Sequence, residues 1–140
     1  IEKYGRALRE RGKNTDELKA LALYTKAYSE TNQFRFREAA GDITVLRMRR
    51  SVAALDRKLK DDADNPELAA QLETARRQLA DKEIEELRLQ VEHYPTDLRR
   101  KFALGIRLAD RREHEEAIQL FQQAQDDPRI RPQVLNALAN

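Results

Sequence analysis

The chain has 140 residues, with 27 Lys+Arg against 25 Asp+Glu, 37% charged, 40% hydrophobic and 6% aromatic residues, four Gly, four Pro, no Cys and no Trp. Charge well above the usual ~25%, with so little turn chemistry, favours long surface-rich helices over sandwiches and barrels, and the missing Cys excludes disulfides, thiolate nucleophiles and Cys-ligated metals. The net charge of +2 is a near balance, unlike the clustered basic excess of a dedicated polyanion binder, and no apolar run approaches the ~20 residues that cross a bilayer.

In chain order, a first helix is expected from Ile1 to Glu10, ended by Gly12, which can take a positive φ. Asn14 reads as the cap of a second helix, with Glu17 three residues later, running to about Ser29. After the polar Ser29-Glu30-Thr31-Asn32 stretch, a long helix is expected from Gln33 to Lys60. Asp61-Asp62-Ala63-Asp64 turns the chain, and Asn65-Pro66-Glu67 supplies a cap, a first-turn proline and a first-turn acid for another long helix to His93. Tyr94-Pro95-Thr96-Asp97 breaks it. Helices follow at about Leu98–Asp110 and Glu113–Gln125, and Pro132 starts a last one, giving six complete helices and the beginning of a seventh.

The two long helices have apolar positions that match in an antiparallel pairing whose residue numbers sum to 127. Leu59 falls opposite Leu68, Leu55 opposite Leu72, Val52 opposite Ala75, Met48 opposite Leu79, Ile43 opposite Ile84, Ala40 opposite Leu87 and Phe36 opposite Val91. Both helices skip five residues at one layer, Ile43 to Met48 and Leu79 to Ile84, so the packing is expected to change there. Charge favours the same pairing: residues 33–60 hold 8 basic and 3 acidic side chains (net +5), and residues 61–95 hold 4 and 10 (net −6). The cluster Arg47, Arg49, Arg50 then reads first as one helix matched to an acidic neighbour. Its other reading, together with Arg76 and Arg77, is a nucleic-acid-binding surface on the arm.

Leu104-Gly105-x-x-Leu108, followed by Ala117-x-x-x-Phe121-x-x-Ala124 and Pro128, resembles a tetratricopeptide repeat, the helix–turn–helix unit of about 34 residues. Gly105 and Ala117 are small where two helices approach, and Leu104, Leu108 and Phe121 fill the space between. The pattern departs from the family at Lys101, where a large aromatic is common, and at Arg112, where Gly is common in the turn. A second copy is legible as Tyr4-Gly5-x-x-Leu8-x-x-x-Gly12 with Ala20-x-x-x-Tyr24-x-x-Ala27, joined by a longer turn through Lys13-Asn14-Thr15. The resemblance implies an all-α array, an α-solenoid fragment: a repeat at 1–32, a middle repeat at 33–97, a repeat at 98–131 and the start of another at 132–140. The middle unit, with Ala40-Gly41 as its small pair, is too long. Its surplus is expected to form a projecting antiparallel coiled-coil hairpin at about 48–79, reaching ~22 Å if each helix runs fifteen residues past its normal end. Both ends fall inside repeats, so the chain is expected to be part of a longer array.

No chemistry of catalysis is legible. His93 and His114 lack metal-ligand or catalytic spacing, neighbouring Glu83, Glu85, Glu86 and Glu115, Glu116 read as solvated helix faces, and no glycine-rich phosphate loop exists. No enzyme activity, cofactor or metal is expected. What remains is a protein-interaction scaffold. In the tetratricopeptide family the first helix of each unit lines a groove, which places Arg99, Phe102, Ile106 and Ala109 on a partner-binding face, apolar with a basic rim, suited to an amphipathic or extended peptide with acidic character. A charge placed at Phe102 is then expected to abolish partner capture with helical content unchanged. Val134, Leu135 and Leu138 are expected to be exposed and to drive weak self-association. Nothing addresses the chain to a compartment, and the cytoplasm is the default expectation.

Overall fold

A computed structural model describes the backbone of residues 2–140 and the side chains of residues 12–140. Among the described residues the chain is all-helical: α1 (Glu2–Thr31), α2 (Phe34–Asp61), α3 (Pro66–His93), α4 (Leu98–Asp110), α5 (His114–Ala124) and α6 (Arg131–Ala139). The backbone divides into two compact units, residues 1–53 and 54–140.

In the first unit the expected break at Gly12 does not occur. α1 is continuous for 30 residues, about 45 Å, and Gly12 has no positive φ. A single helical glycine costs only about 1 kcal/mol relative to alanine, which a long helix absorbs. The supposed cap residues have other partners: the Asn14 side-chain oxygen accepts from Arg47 Nη2 at 2.8 Å, and Glu17 forms an ion pair with Arg50. The N-terminal stretch is therefore one helix, not two helices and a turn, which lowers the helix count to six. The side chains of Tyr4, Gly5 and Leu8, on which that repeat pattern begins, lie outside the described residues. α1 ends at Asn32, which takes φ 54° while its N–H donates to Tyr28 O at 2.7 Å, the left-handed cap that asparagine tolerates. The reversal lets Tyr24 stack on Phe36 with ring centroids 6.5 Å apart. Because an added Cβ at Gly12 meets nothing within 4 Å, Gly12→Ala is expected to raise stability by about 0.5–1 kcal/mol. Thermal unfolding of the variant checks this, and a lowered midpoint would place a bend at Gly12 after all.

The second unit starts with the last two turns of α2. Asn65 caps α3 as its sequence suggests: its side-chain oxygen accepts from Glu67 N–H at 3.0 Å and Leu68 N–H at 3.2 Å, with Pro66 in the first turn. Asp97 does the same for α4, accepting from Arg99 N–H at 3.1 Å and Arg100 N–H at 3.2 Å. The Arg100 guanidinium lies 4.3 Å from the Tyr94 ring centroid and pairs with the Asp97 carboxylate, which ties the residue that caps the end of α3 to the first turn of α4. Between α4 and α5, Arg112 is left-handed at φ 63°, a conformation that a glycine would adopt without strain.

The core of this unit is Ile84 of α3, Leu104 and Leu108 of α4, Ala117, Leu120, Phe121 and Ala124 of α5, and Val134 of α6. Leu108, Ala124 and Val134 are fully shielded from solvent. Gly105 lets α4 and α5 come together: a Cβ there would lie 2.6 Å from Phe121 Cε1. Salt bridges run alongside, Arg107–Glu83 at 3.0 Å, Arg111–Asp81 at 2.6 Å and Arg88–Glu116, whose two hydrogen bonds are 2.5 and 3.0 Å long. Arg111 caps the C-terminus of α4, so α4 ends level with Asp81. The fifteen residues of α3 before Asp81, 66–80, continue for about 22 Å past that end. On this stretch Leu72 is buried at 3% exposure, while Leu68 on α3 and Leu55 and Leu59 on α2 are half-buried. Arg76 reaches across from α3 to Asp56 on α2 at 3.3 Å.

Val134 departs from the sequence reading. It is fully buried, because α6 packs back onto α5 and turns this position inward. Leu135 is 48% exposed as expected, and Leu138 is half-buried against the core.

Candidate functional site

α5 packs against both α4 and α6, and the three helices frame a groove of about 600 Å³. Ile106 and Ala109 enter it from α4, Ala117, Ile118 and Phe121 from α5, and Ala137 and Leu138 from α6, with Asp110, His114 and Asn140 as its polar members. Phe121 is 3% exposed and Ala117 1%, so the deepest part is sealed core, whereas Ile118 is 45% exposed and stands open to solvent. A β-branched apolar side chain held half in water on a regular helix is the kind of group that gains by being covered.

A second concavity of about 580 Å³ lies where the α3–α4 and α5–α6 turns meet, lined by Thr96, Asp97, Leu98, Arg99, Asp127, Pro128 and Arg129. Its charges answer one another. Hydrogen bonds from the Arg129 side chain and backbone hold the Asp127 carboxyl below the ordinary carboxylate range, with a smaller attraction from Arg99. The Asp97 carboxylate is taken up by capping α4 and by Arg100. A similar pairing with Arg88 lowers Glu116, which keeps the α3–α5 bridge charged to acid pH.

The four residues assigned to a partner-binding face from the sequence do not share one surface. Ile106 and Ala109 line the groove; Arg99 is exposed in the second concavity. Phe102 lines neither. It packs on the core with its ring centroid 5.6 Å from that of Phe121, the two planes tilted by 54°. A charge at Phe102 would enter this aromatic contact, so the variant is expected to lose stability, not partner capture alone. Sequence reading missed Ile118, Ala137 and Leu138 as groove residues. Ile118 carried a signal: it is the apolar residue of α5 that stands out of phase with the core positions 117, 120, 121 and 124.

The five arginines that the sequence reading assigned to an arm surface are each engaged. Arg47 donates to Asn14, Arg50 pairs with Glu17, Arg76 with Asp56 at 3.3 Å and Arg77 with Glu73 at 3.4 Å, and Arg49 has a partner as well. Guanidinium groups answered by the chain's own acceptors contribute little excess positive charge to a phosphate backbone. Among the described residues no three His, Asp or Glu side chains gather in a group able to hold a metal ion, and no helix is long and apolar enough to cross a membrane.

Compared with protein families, curated proteins and solved structures, the chain finds no match in any of the three.

Proposed function

We propose that the chain is a non-enzymatic protein-interaction scaffold, and that the groove between α4, α5 and α6 receives an apolar side chain from a segment of a partner protein. The observation that carries this reading is Ile118, 45% exposed on the wall of a groove whose other apolar lining comes from three different helices. In this reading α4 and α5 form a unit of tetratricopeptide type, supported by the contact of Gly105 with Phe121 and by the burial of Ala117 and Ala124. The end of α2 and residues 66–80 of α3 form a coiled-coil arm, supported by buried Leu72 and by the Asp56–Arg76 pair across it. Acidic character in the partner has less support, because no Lys or Arg is among the lining residues of the groove, which include Asp110.

The test is a selection of random twelve-residue peptides on the full chain. Apolar sequences should be enriched, and Ile118→Glu should weaken their binding at least about tenfold, the effect of an interface anchor worth ~1.4 kcal/mol. Helical content and unfolding midpoint should stay near wild type, since the side chain is half in solvent. Peptides that bind wild type and Ile118→Glu equally would remove the groove from the account.

A further inference from the structure

Resting on that reading of the groove, we infer that Gly105 sets its depth: the residue's missing side chain is the seat of the Phe121 ring, and any Cβ there drives the ring into the space meant for the partner. Three ring atoms crowd the position. A Cβ on residue 105 would lie 2.6 Å from Phe121 Cε1, 2.9 Å from Cδ1 and 3.3 Å from Cζ, all inside the ~3.5–4.0 Å at which carbons rest. Either the helices part or the ring moves.

The helices are tied. α4 is held to α3 by Arg107–Glu83 and Arg111–Asp81, and its Leu108 is fully enclosed by the core. α5 is held to α3 by the two hydrogen bonds of Arg88–Glu116. The ring is a side chain that turns about two torsions. Phe102 blocks one direction, with its centroid 5.6 Å away. The groove, of which Phe121 is itself a lining residue, is the open direction. Gly105 thus acts as a positioning residue for the groove without touching its occupant. The occupant it admits is an apolar side chain that rests against the Phe121 ring beside Ile106 and Leu138.

The experiment is methyl NMR on the full chain labelled at Ala, Ile and Leu, comparing wild type, Gly105→Ala, and Gly105→Ala combined with Phe121→Leu. In Gly105→Ala the methyls of Ile106, Ala109 and Leu138 should shift by ring current and gain cross-relaxation to the Phe121 ring, while Ile84 and Leu87 on α3 stay in place. The double variant, with no ring, should lose those shifts. Binding of a groove-selected peptide should fall in Gly105→Ala and not in the control Gly12→Ala, where an added Cβ meets nothing within 4 Å. The reverse pattern, unshifted groove methyls with Ile84 and Leu87 displaced, would mean that α4 and α5 part and would overturn the inference. So would a chain that folds only as the double variant, because the ring would then have no room to turn. The spectra read the ring without any partner, so a groove that binds no peptide would sink the proposed function and leave this result legible on its own.

Discussion

Leu108→Ala is expected to lower the stability of the second unit by about 3–5 kcal/mol, the upper range for a leucine truncated in a sealed core. The side chain has no solvent exposure, and it sits among Leu104, Ala117, Phe121 and the other core residues of four helices. The cavity would not collapse easily, because salt bridges from α3 to both α4 and α5 resist the inward shift that would refill it. With a total of about 5–15 kcal/mol holding a domain of ordinary stability, such a loss takes much of the margin. Urea unfolding followed by circular dichroism checks the value. A loss under about 1 kcal/mol would mean that α4 and α5 do not pack as described.

The second large effect is on the stretch of α3 that extends past α4. Leu72 is 3% exposed there although its neighbours in the same helix, Gln71 and Glu73, are exposed. Leu72→Ala is expected to cost about 2–4 kcal/mol if leucines of the α2 end close over it, and less if the site can relax as a two-helix arm open to solvent. The same site tests the register. Cysteines at positions 55 and 72 should crosslink efficiently under mild oxidation if residue numbers sum to 127 between the end of α2 and α3; efficient linkage only at shifted positions would replace that register.

The sequence was most legible where local chemistry and tertiary packing agree. Asn65-Pro66 and Asp97 mark the starts of α3 and α4 because their side chains bond the first free N–H groups whatever else the chain does. The small positions Gly105 and Ala117 were readable as a helix contact, and they are buried at one. Gly12 was not readable, since glycine permits a helix end without requiring it, and the preference of Asn14 and Glu17 was decided by Arg47 and Arg50, thirty-three residues away. Val134 and Phe102 were misplaced for one reason. Which face of a short helix is covered depends on where the next helix lies, and spacing along a single helix carries no record of that. The split of Arg99 from Ile106 and Ala109 has the same origin: the four residues follow one stripe of α4, but the α5–α6 turn closes over one end and α6 flanks the other.

The most direct test of the groove as a docking site is photocrosslinking from position 118. Benzoylphenylalanine replaces Ile118 in the full chain expressed in its native cells, and a control carries it at the exposed Glu73 of α3. The account predicts one dominant adduct from position 118, identified by mass spectrometry, absent from position 73, reproduced with the purified partner, and suppressed when excess unmodified chain or a groove-selected peptide competes. No adduct from position 118, or the same adducts from both positions, would contradict it.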